Sequence, residues 1–188
     1  VDSWWPSLQS GYEAIVVTAT GCGVTIKDYG HLLESNEKYA KRAFTISNSS
    51  QDISDIISAE KESLLQLLKT DPRNQDEEKE LVAFHSPCTM QHGLNTGKDI
   101  EEILNAAGFE TATVADGHLC CGSAGTYSLL QPKISSRLLK RKIKALENEK
   151  PTLIATANIG CLTHLKSGTE LPVRHWIELI ADKLNKPI

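Results

Sequence analysis

Leu153-Ile154-Ala155-Thr156-Ala157-Asn158-Ile159-Gly160-Cys161 decides how this chain folds. Thr152 to Thr156 reads as a strand, and the run then closes on a Gly-Cys step that marks a turn. A near copy stands earlier: Ala14-Ile15-Val16-Val17-Thr18-Ala19-Thr20-Gly21-Cys22 aligns with it residue for residue, and Lys27 then falls opposite Lys166. In that copy residues 13–18 form the strand, Gly21-Cys22-Gly23 the turn, and Ile26 to Phe44 a helix-like stretch. The repeat divides the chain into residues 1–70, the C-terminal part of a first copy, a charged linker over 71–79, and a complete second copy over 80–188. The missing initiator Met, with Val1 leading into Trp4-Trp5, points to a piece of a longer polypeptide, the first copy's earlier cysteines lying upstream.

Working outward, Ile53, Ile57, Leu64 and Leu68 share one helical face that Asp71-Pro72 stops. Residues 69–80 are charged, lack an apolar face and read as solvated. Leu81 to His85 is a strand. Thr96 with Asp99 has the spacing of a capping box, Ile100, Ile103, Leu104 and Ala107 form the apolar stripe of a helix, and Gly108 stands at its end. Thr111 to Ala115 reads as a strand. Pro132 opens a basic amphipathic helix with Leu139, Ile143 and Leu146 inward. A last helix carries Trp176, Leu179, Ile180 and Leu184 on one side. Strands alternating with helices predict a layered α/β fold with a largely parallel sheet flanked by helices. Ligands collect beyond the carboxyl ends of such strands, and Cys22, Cys88, Cys120 and Cys161 each follow a predicted strand.

The chain has 188 residues, enough for one ordinary core, and a net charge of -4 from 20 basic and 24 acidic side chains. No Lys/Arg cluster interleaves with aromatics, which argues against nucleic acid as a partner. No secretory signal is present and no apolar run approaches the ~20 residues that span a bilayer, so the chain reads as soluble and intracellular. Five cysteines in such a setting point to metal or redox chemistry.

Four of the five follow one order: Cys88, 31 residues, Cys120-Cys121-Gly122, and after Cys121 39 residues to Cys161-Leu162-Thr163-His164. An adjacent pair is a poor basis for a structural disulfide, because bridging it distorts the intervening peptide. Four thiolates and the His164 imidazole suffice for a four-iron cluster, and Gly122 and Gly125 let backbone N–H groups approach its sulfides. Zinc is the rival metal, since His85, Cys88 and His92 lie close in sequence and Cys161 with His164 forms a C-x-x-H pair. A thiol–disulfide switch ranks last, for want of a C-x-x-C step. Cys22 is either a ligand whose partners are missing here or an ordinary buried thiol. His31 and His175 read as solvated or structural, His118 and His164 as better candidates by their nearness to cysteines. Tyr127 and Gln131 either face the site or pack.

At these residues the chain resembles a known family. His85-Ser86-Pro87-Cys88-Thr89-Met90-Gln91-His92-Gly93, Cys120 to Pro132, Thr156 to Cys161 and Pro172 to Glu178 are similar to the C-terminal cysteine-rich region of glycolate oxidase (glycolate dehydrogenase) iron-sulfur subunits. Trp4-Trp5 and Gly21-Cys22-Gly23 extend the similarity across nearly the whole chain. The wider cysteine-rich, or CCG, family is similar to parts of heterodisulfide reductase, anaerobic glycerol-3-phosphate dehydrogenase and lactate-utilisation proteins. Its repeat ends in Cys-x-x-Cys; here the last thiol is replaced by His164, and in the first copy by Thr25, which changes the ligand set.

The resemblance implies a four-iron cluster, non-cubane as in heterodisulfide reductase, at Cys88, Cys120, Cys121 and Cys161, with His164 as a fifth ligand. It implies a non-catalytic electron-transfer module of an oxidoreductase complex, cytoplasmic or peripheral on the inner face of the membrane. Flavin-containing partner subunits would oxidise glycolate, with electrons passing to a quinone or another membrane acceptor, and no catalytic residue is expected in this chain. The alternative is a structural or subunit-docking module holding zinc or no metal.

Overall fold

Short apolar runs become parallel strands in the computed structural model, which describes residues 1–71, 74, 78–94 and 96–185. By internal contacts the chain divides into two units, Val1–Ile56 and Ile57–Ile188.

The second unit is built on a four-stranded sheet, β3 (Glu80–His85), β4 (Phe109–Thr111), β5 (Leu153–Thr156) and β6 (Val173–His175), in the order β4-β3-β5-β6. Every pairing is parallel. Val82 to His85 and all of β5 are buried, as continuous apolar runs covered on both faces require. Helices α6 (Lys61–Thr70), α7 (Gly97–Ala106) and α11 (Trp176–Asn185) pack on one side, α9 (Pro132–Leu146) and α10 (Ile159–Lys166) on the other. Ala83, Ile154 and Val173 face Leu139, Ile143, Leu146 and Leu165 in one continuous core that also takes in Cys121 and Cys161. The chain leaves β3 toward β4 on one side and β5 toward β6 on the other. Topology therefore opens a crevice beyond the carboxyl ends of β3 and β5.

The first unit holds α1 (Trp5–Gln9), β1 (Ile15–Val17), α2 (Thr20–Lys27), α3 (Tyr29–Leu32), α4 (Ala40–Ser49) and β2 (Ser50–Asp52), and α5 (Ile53–Ala59) begins in it. Its β1 and β2 pair in parallel. The pairing of Ile15 with Ser50 matches that of Ile154 with Val173, and Cys22 and Cys161 are each the third residue of the following helix. The internal repeat is thus structural: strand, helix and parallel strand recur around each cysteine.

Several expectations hold closely. Ile100, Ile103, Leu104 and Ala107 are buried, Gly108 ends α7 with φ +84°, and Pro132 is the first residue of α9. Others need correction. Gly21-Cys22-Gly23 is no turn but the first turn of α2, because a helix directly after a strand puts its opening residues where glycine signals a loop. Ile26 to Phe44 is broken into three helices rather than one. The face shared by Ile53 to Leu68 belongs to two helices, of which only Leu68 is fully buried.

The strand expected over Thr111 to Ala115 is β4, Phe109–Thr111, which begins two residues earlier, straight after Gly108, and ends four residues earlier. Thr96 is the N-cap of α7, but no side-chain capping bond forms; Asp99 instead reaches Lys61 Nζ at 2.7 Å, tying α6 to α7. Leu184 is exposed at 39%. Strand β6 has no counterpart among the expected strands. Residues 72, 73 and 75–77 of the charged stretch, Pro72 among them, lie outside the described residues, but Asn74 is buried and donates Nδ2 to the Leu68 carbonyl.

Candidate metal centre

Three segments carry the cysteines to the crevice. Cys88 opens the helical segment that follows β3 and continues into a π-helical turn, Met90–Leu94. Cys120 and Cys121 lie in the loop between β4 and α8 (Tyr127–Leu130), and Cys161 is in the first turn of α10. Each thiol acts on the proton of the next, Cys88 on Cys120, Cys120 on Cys121 and Cys121 on Cys161, so successive sulfurs of this series are neighbours. The four thiols that the sequence singled out are therefore contiguous. All are free, and Cys22, in the other unit, is exposed.

A histidine joins them. The ligand atoms of His85, Cys121 and Cys161 all lie within 4.8 Å of one another, on side chains exposed by 2%, 1% and 5%. His85 ends β3 and pairs in register with Thr156, the last residue of β5. Its Nδ1 lies 2.9 Å from Thr156 Oγ1.

His164 is not brought into this group. Ser135 Oγ donates to the Gly122 carbonyl at 2.8 Å and lies 3.1 Å from His164 Nε2. The hydroxyl has one proton, already given to Gly122, so Nε2–H of His164 is the donor and carries no lone pair for a metal. His164 thus supports the cysteine loop from behind. His92 and His118 are exposed, and His31 lies on the surface beside Glu34. His175 is buried, its Nδ1 accepting from the Ile177 N–H at 3.4 Å. Tyr127 opens α8 and Gln131 caps α9, its carbonyl accepting the Ser135 N–H.

Two donors aim at sulfur. The Gly122 N–H points at Cys120 Sγ at 3.3 Å, and Asn158 Nδ2 at Cys161 Sγ at 3.6 Å. Asn158 is the N-cap of α10 yet makes no capping bond with its side chain, which serves the cysteine instead. Gly122 is required by geometry: its φ is +95°, and a Cβ there would stand 2.7 Å from the Ser135 carbonyl. Ala124 and Gly125 also have positive φ, so the loop is tightly coiled around the thiols.

The sequence reading missed Lys142. A lysine of the basic helix α9, it is nevertheless 1% exposed, and Nζ donates to the Gly117 carbonyl at 2.9 Å and more distantly to that of Asp116. The signal was there, because Lys142 is spaced with Leu139 and Leu146 on the inward stripe. Burial holds its amine below the usual lysine range, and Cys121, Cys120 and Cys161 pull it back up. A buried cation beside thiols is what an anionic centre needs.

The thiols share protons unequally. The bond to Cys121 and burial push the Cys120 thiol up. Cys120 pulls Cys121 down, but Cys161 and burial outweigh it and push Cys121 up to about 12. Burial raises Cys88. The bond from Cys121, aided by Asn158, holds Cys161 below its ordinary value. Several thiolates cannot coexist here without a cation, so the donor set fits a thiolate-bound metal.

Burial, then Lys142, drives the His85 pKa from 6.5 down to about 3, leaving the imidazole neutral. Since the folded value lies below the unfolded one, the unfolded chain binds more protons between them, and stability rises with pH across that window. For the metal-free chain this contribution is complete above pH 6.5 and is lost toward pH 3, by at most ~1.4 kcal/mol per pH unit. His164, also lowered by burial, acts in the same direction. Urea unfolding between about pH 7 and 5 is expected to show this slope, reduced in His85→Gln. Equal slopes in the two chains would contradict it.

Residues 82–166, which carry this site, match the model of the cysteine-rich domain (CCG) family. Across 99% of its length it is similar, at 42% identity, to the glycolate oxidase iron-sulfur subunit of Escherichia coli K12, of which it covers 44%. It is 28% identical over 84% of its length to the probable glycolate oxidase iron-sulfur subunit of Bacillus subtilis 168, covering 34% of that protein. It is 24% identical over 89% of its length to lactate utilization protein A of Bacillus licheniformis, covering 70% of that protein. The chain thus spans less than half of the two glycolate oxidase subunits. Among the described residues no helix is long and apolar enough to cross a membrane.

Proposed function

We propose that this chain is an electron-transfer module of a glycolate oxidase-type complex, holding a four-iron cluster at Cys88, Cys120, Cys121 and Cys161. One observation carries the reading: four thiols from three separate segments converge at the switch point of a parallel sheet, with N–H donors on two of the sulfurs. The similarity to iron-sulfur subunits supports it. In this reading residues 1–70 are the end of a first cysteine-rich copy and 80–188 the complete second copy.

When bound, such a cluster supplies one-electron transfer at a potential set by its surroundings. The protein does the rest. The four thiolates hold the iron, Gly122 and Asn158 donate to sulfur, and Lys142 offsets negative charge. The apolar core around Cys121 and Cys161 excludes water, which raises the weight of each of these charges. Oxidation of the 2-hydroxy acid belongs to flavin-containing partner subunits, and the electrons pass on to a quinone, with the complex cytoplasmic or peripheral on the inner membrane face.

A second reading, a docking module with zinc, draws on His85, Cys121 and Cys161, whose ligand atoms all lie within 4.8 Å of one another and are of the nitrogen and sulfur types zinc takes. Anaerobic reconstitution with iron and sulfide separates the two. The cluster reading expects a brown protein whose visible absorption bleaches on reduction; a colourless product favours the zinc reading.

A further inference from the structure

We infer that His85 Nε2 is a ligand of this metal centre, forming with Cys121 and Cys161 a nitrogen–sulfur set for a thiophilic cation. The inference rests on reading the cysteine site as a metal centre, but not on the metal being a cluster.

Position is the first support. His85 is the last residue of β3, in register with the last residue of β5, so it sits at the floor of the crevice from which Cys88 and Cys161 rise. The strand holds its backbone, and the buried ring has little room to turn. The distances are the second: its ligand nitrogen lies within 4.8 Å of both sulfurs, close enough for one ion to bind all three with small adjustments.

The third support is the other ring nitrogen. Nδ1 lies 2.9 Å from Thr156 Oγ1, and in the tautomer whose Nδ1–H donates to that hydroxyl Nε2 carries the lone pair a metal needs. A ligating histidine almost always spends its second nitrogen this way, fixing tautomer and ring orientation. His164 has the opposite arrangement, its Nε2–H being committed to Ser135. Proton balance is simple. Metal binding expels the Cys121 and Cys161 thiol protons to solvent, while His85, already neutral, releases none.

The test is anaerobic titration of the metal-free chain with Co²⁺ alone, read by the near-ultraviolet sulfur-to-cobalt band and the visible d–d bands. The chain is expected to bind with a tetrahedral spectrum. His85→Gln is expected to weaken binding at least ~10-fold and to shift the d–d bands, whereas His31→Gln, on the surface of the other unit, should leave both unchanged. A second measurement needs no variant: with ¹⁵N-labelled histidine and one equivalent of Zn²⁺, the His85 Nε2 resonance should move to the metal-bound range while that of His164 stays.

Failure to bind Co²⁺, wild-type binding by His85→Gln, or an unmoved His85 resonance overturns the inference. Cobalt bound through His85 in a chain that takes up no iron–sulfur cluster would leave the inference standing and sink the cluster reading alone.

Discussion

Gly122→Ala is expected to lower the stability of the metal-free chain by about 2–4 kcal/mol, combining the strain of a positive φ with overpacking against backbone. Two causes add here. At φ +95° an L side chain is strained whatever the space, and the new Cβ would meet the Ser135 carbonyl at 2.7 Å and Leu138 Cβ at 3.1 Å. Neither neighbour can move cheaply. The Ser135 carbonyl belongs to the backbone of α9, and Ser135 Oγ also holds the Gly122 carbonyl. Relief comes only by shifting the Cys120-Cys121 loop, so the thiols lose register and metal uptake falls as well. Gly125→Ala is the control, since nothing lies within 4 Å of a Cβ there. Denaturant unfolding of the two variants checks the difference, and equal stabilities would remove the steric account of the Cys-Cys-Gly turn.

Lys142→Met is expected to separate stability from metal affinity. Methionine keeps most of the buried stem and removes the charge, so the metal-free chain should stay within ~1 kcal/mol of wild type or gain slightly. The Gly117 carbonyl that Lys142 leaves still accepts Gln91 Nε2 at 3.0 Å, so no buried acceptor is orphaned there. Once the thiols ionise, however, the missing cation is felt, and affinity for Co²⁺ should fall about 10–100-fold. Lys142→Ala loses the stem too and should cost about 2–4 kcal/mol in the metal-free chain. If Lys142→Met bound Co²⁺ as tightly as wild type, Lys142 would be a packing residue and not a counter-charge.

Local pattern made α7 and α9 legible, because Pro132, the apolar stripes and Gly108 each act within a few residues of themselves. Strands β3 and β5 were legible for the same reason. Strand β6 was not: its three residues, Val173-Arg174-His175, carry no periodicity, and only pairing with β5 makes them a strand. The glycines around Cys22 misled because glycine usually breaks a helix, whereas here they open one that begins straight after a strand.

The cysteines stand out in sequence by their spacing, whereas His85 stands out only beside Cys88 and His92 as part of a zinc set, not as a neighbour of Cys121 and Cys161. His164 is three residues from Cys161 in sequence, yet one helical turn along α10 places it on Ser135. His85 is 36 residues from Cys121 and 76 from Cys161, and reaches them only through the parallel register of β3 with β5, a contact that local sequence does not encode. Lys142 is readable from its inward spacing with Leu139 and Leu146, although its charge argues for the surface.

The central claim is that Cys88, Cys120, Cys121 and Cys161 together hold iron and sulfide. It is tested most directly by quantifying both after anaerobic reconstitution of the wild-type chain and of each single Cys→Ser variant. Iron and acid-labile sulfide in matched amounts are predicted for the wild type and for Cys22→Ser, with most of both lost in each of the other four. A wild-type chain that retains neither, or variants at Cys88, Cys120, Cys121 and Cys161 that all retain wild-type amounts, would contradict it.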